Sequence, residues 1–304
     1  MVVPVRGFDY HLQCWGDPSL VTAERPALFM LHGWMDVGAS FQFLVDALEE
    51  QAQAAGRFIV APDWRGFGLT RSQGIARTDT YWFPDYLADL EVLLHAVFEG
   101  ATGAGLPVDL LGHSMGGNVA TMYAGIRPSK IRRLVNLEGF GMPATQPADA
   151  PERYRRWLDE LAQPATLASY DSLDAVARRL QRNNAQLTPD RALWLARHWA
   201  SETGPGEWRL NADPAHKHVT PVLYQKEEVL KVWEAITAPM LWIEGSLTDT
   251  SKFWGNRYTR DEFSERLTHV AKVERHVVGP AAHMVHHDQP AQIAHLLEVF
   301  LLPG

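Results

Sequence analysis

The stretch "LLGHSMGGNVA" at positions 110–120 constrains this chain more than any other. Gly112, Gly116 and Gly117 crowd around Ser114, with His113 before it and Met115 after it. Each glycine costs a helix about 1 kcal/mol relative to alanine, so three of them together must answer another demand. The residues just before, "PVDLL", read as a short buried strand, and those after, "NVATMYAGI", as a helix. Gly-x-Ser-x-Gly at a strand-to-helix junction predicts a nucleophile elbow, a turn so tight that only small neighbours fit and the serine Oγ is pushed above the sheet. The first N–H groups of the helix point at the same spot. Such a serine needs a base, an acid and a second N–H donor from elsewhere in the chain.

Six short apolar runs recur along the sequence: "ALFMLHG", "FIVAPDW", "VDLLGHS", "RLVNLEG", "PMLWIEG" and "VERHVVGP". They are bounded by glycine, proline or aspartate and do not strictly alternate, which is the pattern of buried parallel strands. Helical patterns separate most of them, including "SFQFLVDALEEQAQ", "FPDYLADLEVLLHAVFE" and the closing "PAQIAHLLEVFL". Alternating β and α predicts an α/β fold, a mostly parallel central sheet with helices on both faces. Functional loops then belong at the carboxyl ends of the strands.

The alternation breaks between 142 and 234. There "PERYRRWLDELA", "DSLDAVARRLQRN" and "TPDRALWLARHWAS" follow one another as helices without strands. Thr188 is a suitable N-cap and Pro189 a suitable first helical residue. Prolines at 143, 147, 151 and 164 punctuate the entry, and those at 205, 214 and 221 the exit. The expected organisation is a core over 1–141, a helical cap over 142–234 and the rest of the core over 235–304. Several of the eleven tryptophans, Trp157, Trp194, Trp199 and Trp208 in the insertion and Trp34, Trp64 and Trp254 near loops, could either pack the core or line a pocket.

Composition excludes several classes. The net charge of −8 and the absence of a basic tract argue against nucleic acid as a partner. No run of 18 apolar residues predicts a membrane span, and "MVVPVRGFDYHLQCWG" lacks the pattern of a signal peptide. Cys14 is the single cysteine, so no disulfide forms within the chain, and a cytoplasmic location is expected.

The base is expected at His283, in the small-residue turn of "GPAAHMVHHDQP" after the last strand, because a serine hydroxyl near neutral pH needs an adjacent base. His286 and His287 are expected to support it or to lie at the surface. The cluster His283, His286, His287 and Asp288 lacks a paired ligand set such as His-Glu-x-x-His, so neither a metal nor a cofactor is expected. "MLHGWMD" ends the first buried strand, and its loop offers the backbone amide of Trp34 as a donor beside that of Met115. His32 is read as structural. Two carboxylates compete as the acid: Glu138, at the end of "RLVNLEG", and Asp249, in "WIEGSLTDTS". Either could orient the imidazole of His283 and stabilise its cation.

In this order "HGW", "PDWRGFGLTRS", "GHSMGG" and "AAHMVHHDQP" resemble the motifs of the α/β-hydrolase superfamily over nearly the whole chain. "HGWMDVGASF" with "RLVNLEGFG" is similar to its serine-hydrolase-like branch. The resemblance implies a Ser–acid–His triad and hydrolysis of a small or medium carboxylic ester through an acyl-enzyme. Amidase, C–C hydrolase, acyltransferase and cofactor-free haloperoxidase activities also occur in the superfamily, and a non-catalytic binding member is a further alternative. The superfamily's commonest acid follows the seventh strand, three residues beyond a glycine; here Gly245 puts Thr248 at that place and Asp249 one residue late. A glutamate after the sixth strand resembles the acid of haloalkane dehalogenases, and it makes Glu138 the favoured choice. Those enzymes use an aspartate nucleophile, so Ser114 does not imply dehalogenation.

Overall fold

A computed structural model describes residues 1–50, 57–74, 78–98, 105–163 and 165–302. Pro164 and the ends of the helices expected over 40–53 and 83–99 lie outside the described residues. The strands of the main sheet are β1 (Val2–Val5), β2 (Phe8–Trp15), β3 (Leu28–Leu31), β4 (Ile59–Pro62), β5 (Arg71–Ser72), β6 (Val108–His113) and β7 (Ile131–Leu137). An insertion adds β8 (Ser169–Tyr170), β9 (Ala200–Gly204) and β10 (Glu207–Leu210), after which β11 (Met240–Gly245) and β12 (Val273–Val278) return to the main sheet. The order across that sheet is β1-β2-β4-β3-β6-β7-β11-β12, with β5 paired to β2.

From β4 to β12 every pairing is parallel. These are the six apolar runs of the sequence, and β3, β4, β6 and β11 are buried at every position. The hairpin β1–β2, which lies outside the six apolar runs, adds antiparallel strands at one edge. Its turn is Arg6-Gly7, both at positive φ, the backbone twist that two-residue hairpin loops favour.

Helices cover both faces. The helices are α1 (Gln42–Glu50), α2 (Phe83–Ala96), α3 (Met115–Ile126), α4 (Ala150–Ala162), α5 (Leu173–Asn183), α6 (Pro189–Trp199), α7 (Lys226–Glu234), α8 (Ser251–Trp254), α9 (Arg260–Leu267), α10 (Val285–Asp288) and α11 (Pro290–Leu301). Leu90 and Leu93 of α2, Val119 and Tyr123 of α3, Trp233 of α7 and Phe263 of α9 fill one core. Leu44 and Leu48 of α1 and Ile293 and Leu297 of α11 fill the other.

The segment between β7 and β11 departs from the all-helical expectation. It contains α4, α5 and α6 near the predicted positions, but also a three-stranded antiparallel sheet ordered β8-β10-β9. The Pro205-Gly206 turn, with Gly206 at φ +70°, links β9 to β10, so Pro205 serves a hairpin turn and does not mark the exit from the insertion. Val176, Leu180, Ala192 and Leu195 form a separate small core with Trp194, Trp199 and Trp208 against it. The segment reaches the main body through hydrogen bonds from Trp199 Nε1 to Ser40 Oγ (3.0 Å), Arg191 Nη1 to the His287 carbonyl (2.6 Å) and Asn184 Nδ2 to Asp288 Oδ1 (2.7 Å).

Close packing, not backbone freedom, explains the glycines that surround Ser114. A methyl group on Gly112 would overlap the Gly116 carbonyl, and one on Gly116 would overlap the Leu31 carbonyl at the end of β3. Gly116→Ala therefore forces the elbow and β3 apart. The expected loss is about 1–3 kcal/mol of stability, read as a lower urea midpoint; an unchanged midpoint would show that the contact relaxes freely.

Candidate active site

Ser114 sits between β6 and α3 at φ +52°, ψ −115°, a conformation that a non-glycine residue adopts only under strain. Its amide donates to the Leu137 carbonyl (2.8 Å), which ties the elbow to the end of β7. One residue later Glu138 also takes a positive φ, +60°. Its amide donates to the Ile243 carbonyl (3.1 Å), while Asn136 Oδ1 accepts from the Gly139 amide (2.8 Å) and holds the turn.

His283 lies between these two residues. Its Nε2 is 2.9 Å from Ser114 Oγ and its Nδ1 is 3.0 Å from Glu138 Oε2. The carboxylate, with its side chain fully buried, needs a donor at each oxygen. Oε1 accepts from the Gly245 amide (2.6 Å) and from Thr248 Oγ1 (2.9 Å). Nothing in the sequence marks Thr248 as functional, yet it occupies the place three residues beyond Gly245 where the superfamily's commonest acid is expected.

Asp249 is not brought to His283. It accepts from the amide and hydroxyl of Ser251 at the start of α8, and those contacts hold its exposed carboxylate below the usual range. His286 and His287 are not at the surface: both are buried, and neither bonds Ser114. His287 stands against Phe43. Asp288 fixes the turn that carries His283, its Oδ2 accepting from the Ala282 amide (2.9 Å). His113 Nε2 meets the His283 carbonyl (2.9 Å), so the residue before the serine also steadies the imidazole-bearing loop.

The loop after β3 comes equally close. A Cβ on Gly33 would lie 3.2 Å from the Ser114 Cβ. His32 Nδ1 is 2.7 Å from the Gly33 carbonyl, while its Nε2 accepts from the Trp64 amide (2.9 Å), so Nδ1 carries the hydrogen. A trans peptide directs its N–H opposite to its C=O; by holding the Gly33 carbonyl, His32 sets the direction of the Trp34 amide. The Met115 amide opens α3 and, as a first-turn group, has no i−4 carbonyl.

Several tryptophans have packing or hydrogen-bonding partners of their own. Trp64 is core, Trp199 bonds Ser40, and Trp157 Nε1 donates to Thr80 Oγ1 (3.0 Å). Half-exposed Trp34 donates through Nε1 to the His216 carbonyl of the insertion (3.2 Å), and the rings against His283 are those of Phe253 and His113, each at 4.9 Å. Two surface clefts of about 430 and 400 Å³ lie elsewhere, one lined by Arg133 and Lys272 and one by Phe43 and Trp194, and neither is lined by Ser114.

Two buried histidines of this region are held neutral. Burial pushes His32 down to about 4 and His216, stacked between Phe67 and Tyr81, down to about 3. An unfolded histidine titrates near 6.5, so below that pH the unfolded chain binds protons that the folded chain refuses. Stability is therefore complete above 6.5 and falls with acidification, by about 1.4 kcal/mol per pH unit for each histidine. This pair should contribute a loss of about 4 kcal/mol between pH 7.5 and 5, read as the difference between the urea profiles of the wild type and a His32→Gln/His216→Gln variant; profiles of equal slope would contradict it.

A family model for the alpha/beta hydrolase fold matches residues 26–290. The chain belongs to the α/β-hydrolase family. A serine hydrolase-like protein of Danio rerio is 32% identical over 169 residues, which cover 55% of this chain and 46% of that protein, so the match spans less than half of that relative. A 3-hydroxybutyrate-oligomer hydrolase of Cupriavidus necator is 29% identical over 292 residues, 92% of this chain and 88% of that one. The thioesterase domain from the curacin biosynthetic pathway shares the fold, with a TM-score of 0.80 at 21% identity over 98% of both chains. No helix among the described residues is long and apolar enough to cross a membrane.

Proposed function

We propose that this protein is a serine hydrolase of small or medium carboxylic esters, working through an acyl-enzyme on Ser114. The hydrogen-bonded series from Ser114 Oγ through His283 to Glu138 carries the reading. His283 takes the hydroxyl proton as Oγ attacks the ester carbonyl, then gives it to the departing alcohol. Glu138 keeps the hydrogen of the imidazole on Nδ1 and stabilises the cation that forms. The amides of Trp34 and Met115 receive the developing oxyanion, each donor worth about 3–4 kcal/mol in the transition state. Water then repeats the sequence against the acyl-enzyme. Residues 142–234 act as a cap that selects the substrate, a role supported by their contacts with Ser40, His287 and Asp288 and with Trp34, which follows the Gly33 packed against Ser114. The relative that hydrolyses 3-hydroxybutyrate oligomers supports an ester as the bond cleaved. The lone Cys14 fits a reducing, cytoplasmic setting.

The test is labelling with a fluorophosphonate, followed by a panel of acyl esters and amides. One adduct per chain on Ser114, with an initial burst on activated esters, is the expected result. A folded protein that takes no label would refute the serine mechanism.

A further inference from the structure

Three buried side chains that the proposed mechanism does not use meet behind the His283 loop. Asp36 comes from the loop after β3, His113 from the end of β6 and His286 from α10. One ligand atom from each lies within 4.8 Å of the other two. Asp36 Oδ2, His113 Nδ1 and both nitrogens of His286 have no hydrogen-bond partner. A buried polar atom left unpaired costs about 1–3 kcal/mol, so this concentration of them calls for a shared partner.

The remaining atoms indicate its chemistry. His113 Nε2 faces the His283 carbonyl, which can only accept, so Nε2 carries the hydrogen and Nδ1 presents a bare lone pair. Asp36 Oδ1 already accepts from the Val37 amide (2.8 Å) and from the Ser40 hydroxyl, which leaves Oδ2 to turn inward. An imidazole whose far nitrogen donates to a main-chain carbonyl, and a carboxylate steadied through its other oxygen, are the supports that orient metal ligands. Two nitrogens and one oxygen suit zinc-class ions.

We propose that Asp36, His113 and His286 bind one divalent transition-metal ion of the zinc class, and that this ion slows turnover through His113. Two ligands of one tetrahedral zinc ion stand about 3.3 Å apart, so loading draws the three side chains together. No hydrogen bond restrains the ring of His286, whereas His113 holds the carbonyl of His283. Closure on the ion therefore pulls on the loop that presents His283 to Ser114. A misplacement of about 1 Å at a reacting group can cost about 100-fold in rate. The inhibitory part rests on the proposed role of His283; the binding part does not.

The test uses the full chain, stripped with a chelator and dialysed. Zn²⁺ is titrated against a chromophoric chelator after prolonged incubation, and Co²⁺ is added separately for its visible absorption bands. One tight equivalent is expected, weakened at least tenfold in Asp36→Asn and in His286→Phe, with near-UV circular dichroism checking the fold. If His286→Phe does not fold, the isosteric Asp36→Asn decides alone. Absence of binding to the wild type, as for a site filled by water, overturns the proposal. So does equal affinity in the variants, the mark of surface histidines. One equivalent of Zn²⁺ should lower ester turnover about 100-fold, and chelator should restore it. Binding with unchanged turnover overturns the link to His283, whereas a protein that binds the ion but hydrolyses no ester when stripped counts against the proposed function instead.

Discussion

Ser114→Ala should lower kcat on an activated ester by about 10⁶-fold, since members of a serine–histidine unit act together and removing one removes most of what the set achieves. Oγ is the atom that would form the acyl bond, and its hydrogen-bond partner is His283 Nε2. The anion-binding amides remain in the variant, so a slow background over the uncatalysed reaction is also expected. Because the hydroxyl supports nothing beyond that imidazole, the variant should unfold at a temperature close to the wild type. Turnover within tenfold of the wild type, in a variant with an unchanged thermal midpoint, would exclude Ser114 as the nucleophile.

Glu138→Gln should cost about 10⁴-fold in kcat, while Asp249→Asn should change it less than a few-fold. The Gly245 amide and the Thr248 hydroxyl both donate to Oε1 of Glu138. In the glutamine variant those donors capture the amide oxygen, and the NH₂ group faces His283 Nδ1. Nδ1 must then accept, so the hydrogen of the neutral imidazole moves to Nε2, the nitrogen that faces Ser114. A base carrying its hydrogen on that side cannot take the serine proton. Asp249 touches Ser251 and not His283, so its loss leaves this arrangement intact. Steady-state kinetics of the two variants on one ester decide the matter, and the reverse order would move the acid to Asp249.

What could be read from the sequence follows from how locally each feature is encoded. Four of the parallel strands, β3, β4, β6 and β11, were legible because strands covered on both faces are mostly apolar, as "LFML" and "MLWIEG" are, whereas the edge strand "VERHVV" is largely uncovered and showed only in its valines and the Gly-Pro that follows. The strands of the insertion were not, because "ASETG" is largely exposed and "EWRL" only partly buried, which leaves no run of apolar residues to see. Ser114 and His283 announced themselves through turns of small residues that lie next to them in sequence. Glu138 is favoured by its strand end, by a resemblance to another branch's acid and by the late offset of Asp249, whereas nothing in the sequence marks Thr248, which lies at the offset where an acid is expected. Asp36, His113 and His286 come from three separate elements with no spacing rule among them, so only the folded chain brings them together.

The backbone at Ser114 has a consequence for how this protein can be improved. A side chain held at φ +52° costs about 1–3 kcal/mol that a glycine would not. Ser114→Gly should therefore melt above Ser114→Ala, although neither would have the proposed nucleophile. A library screened for heat tolerance alone would enrich glycine at position 114 and return sturdy, inert proteins. Durability and service are opposed at this residue, so any search for a tougher form must score turnover and survival in the same assay.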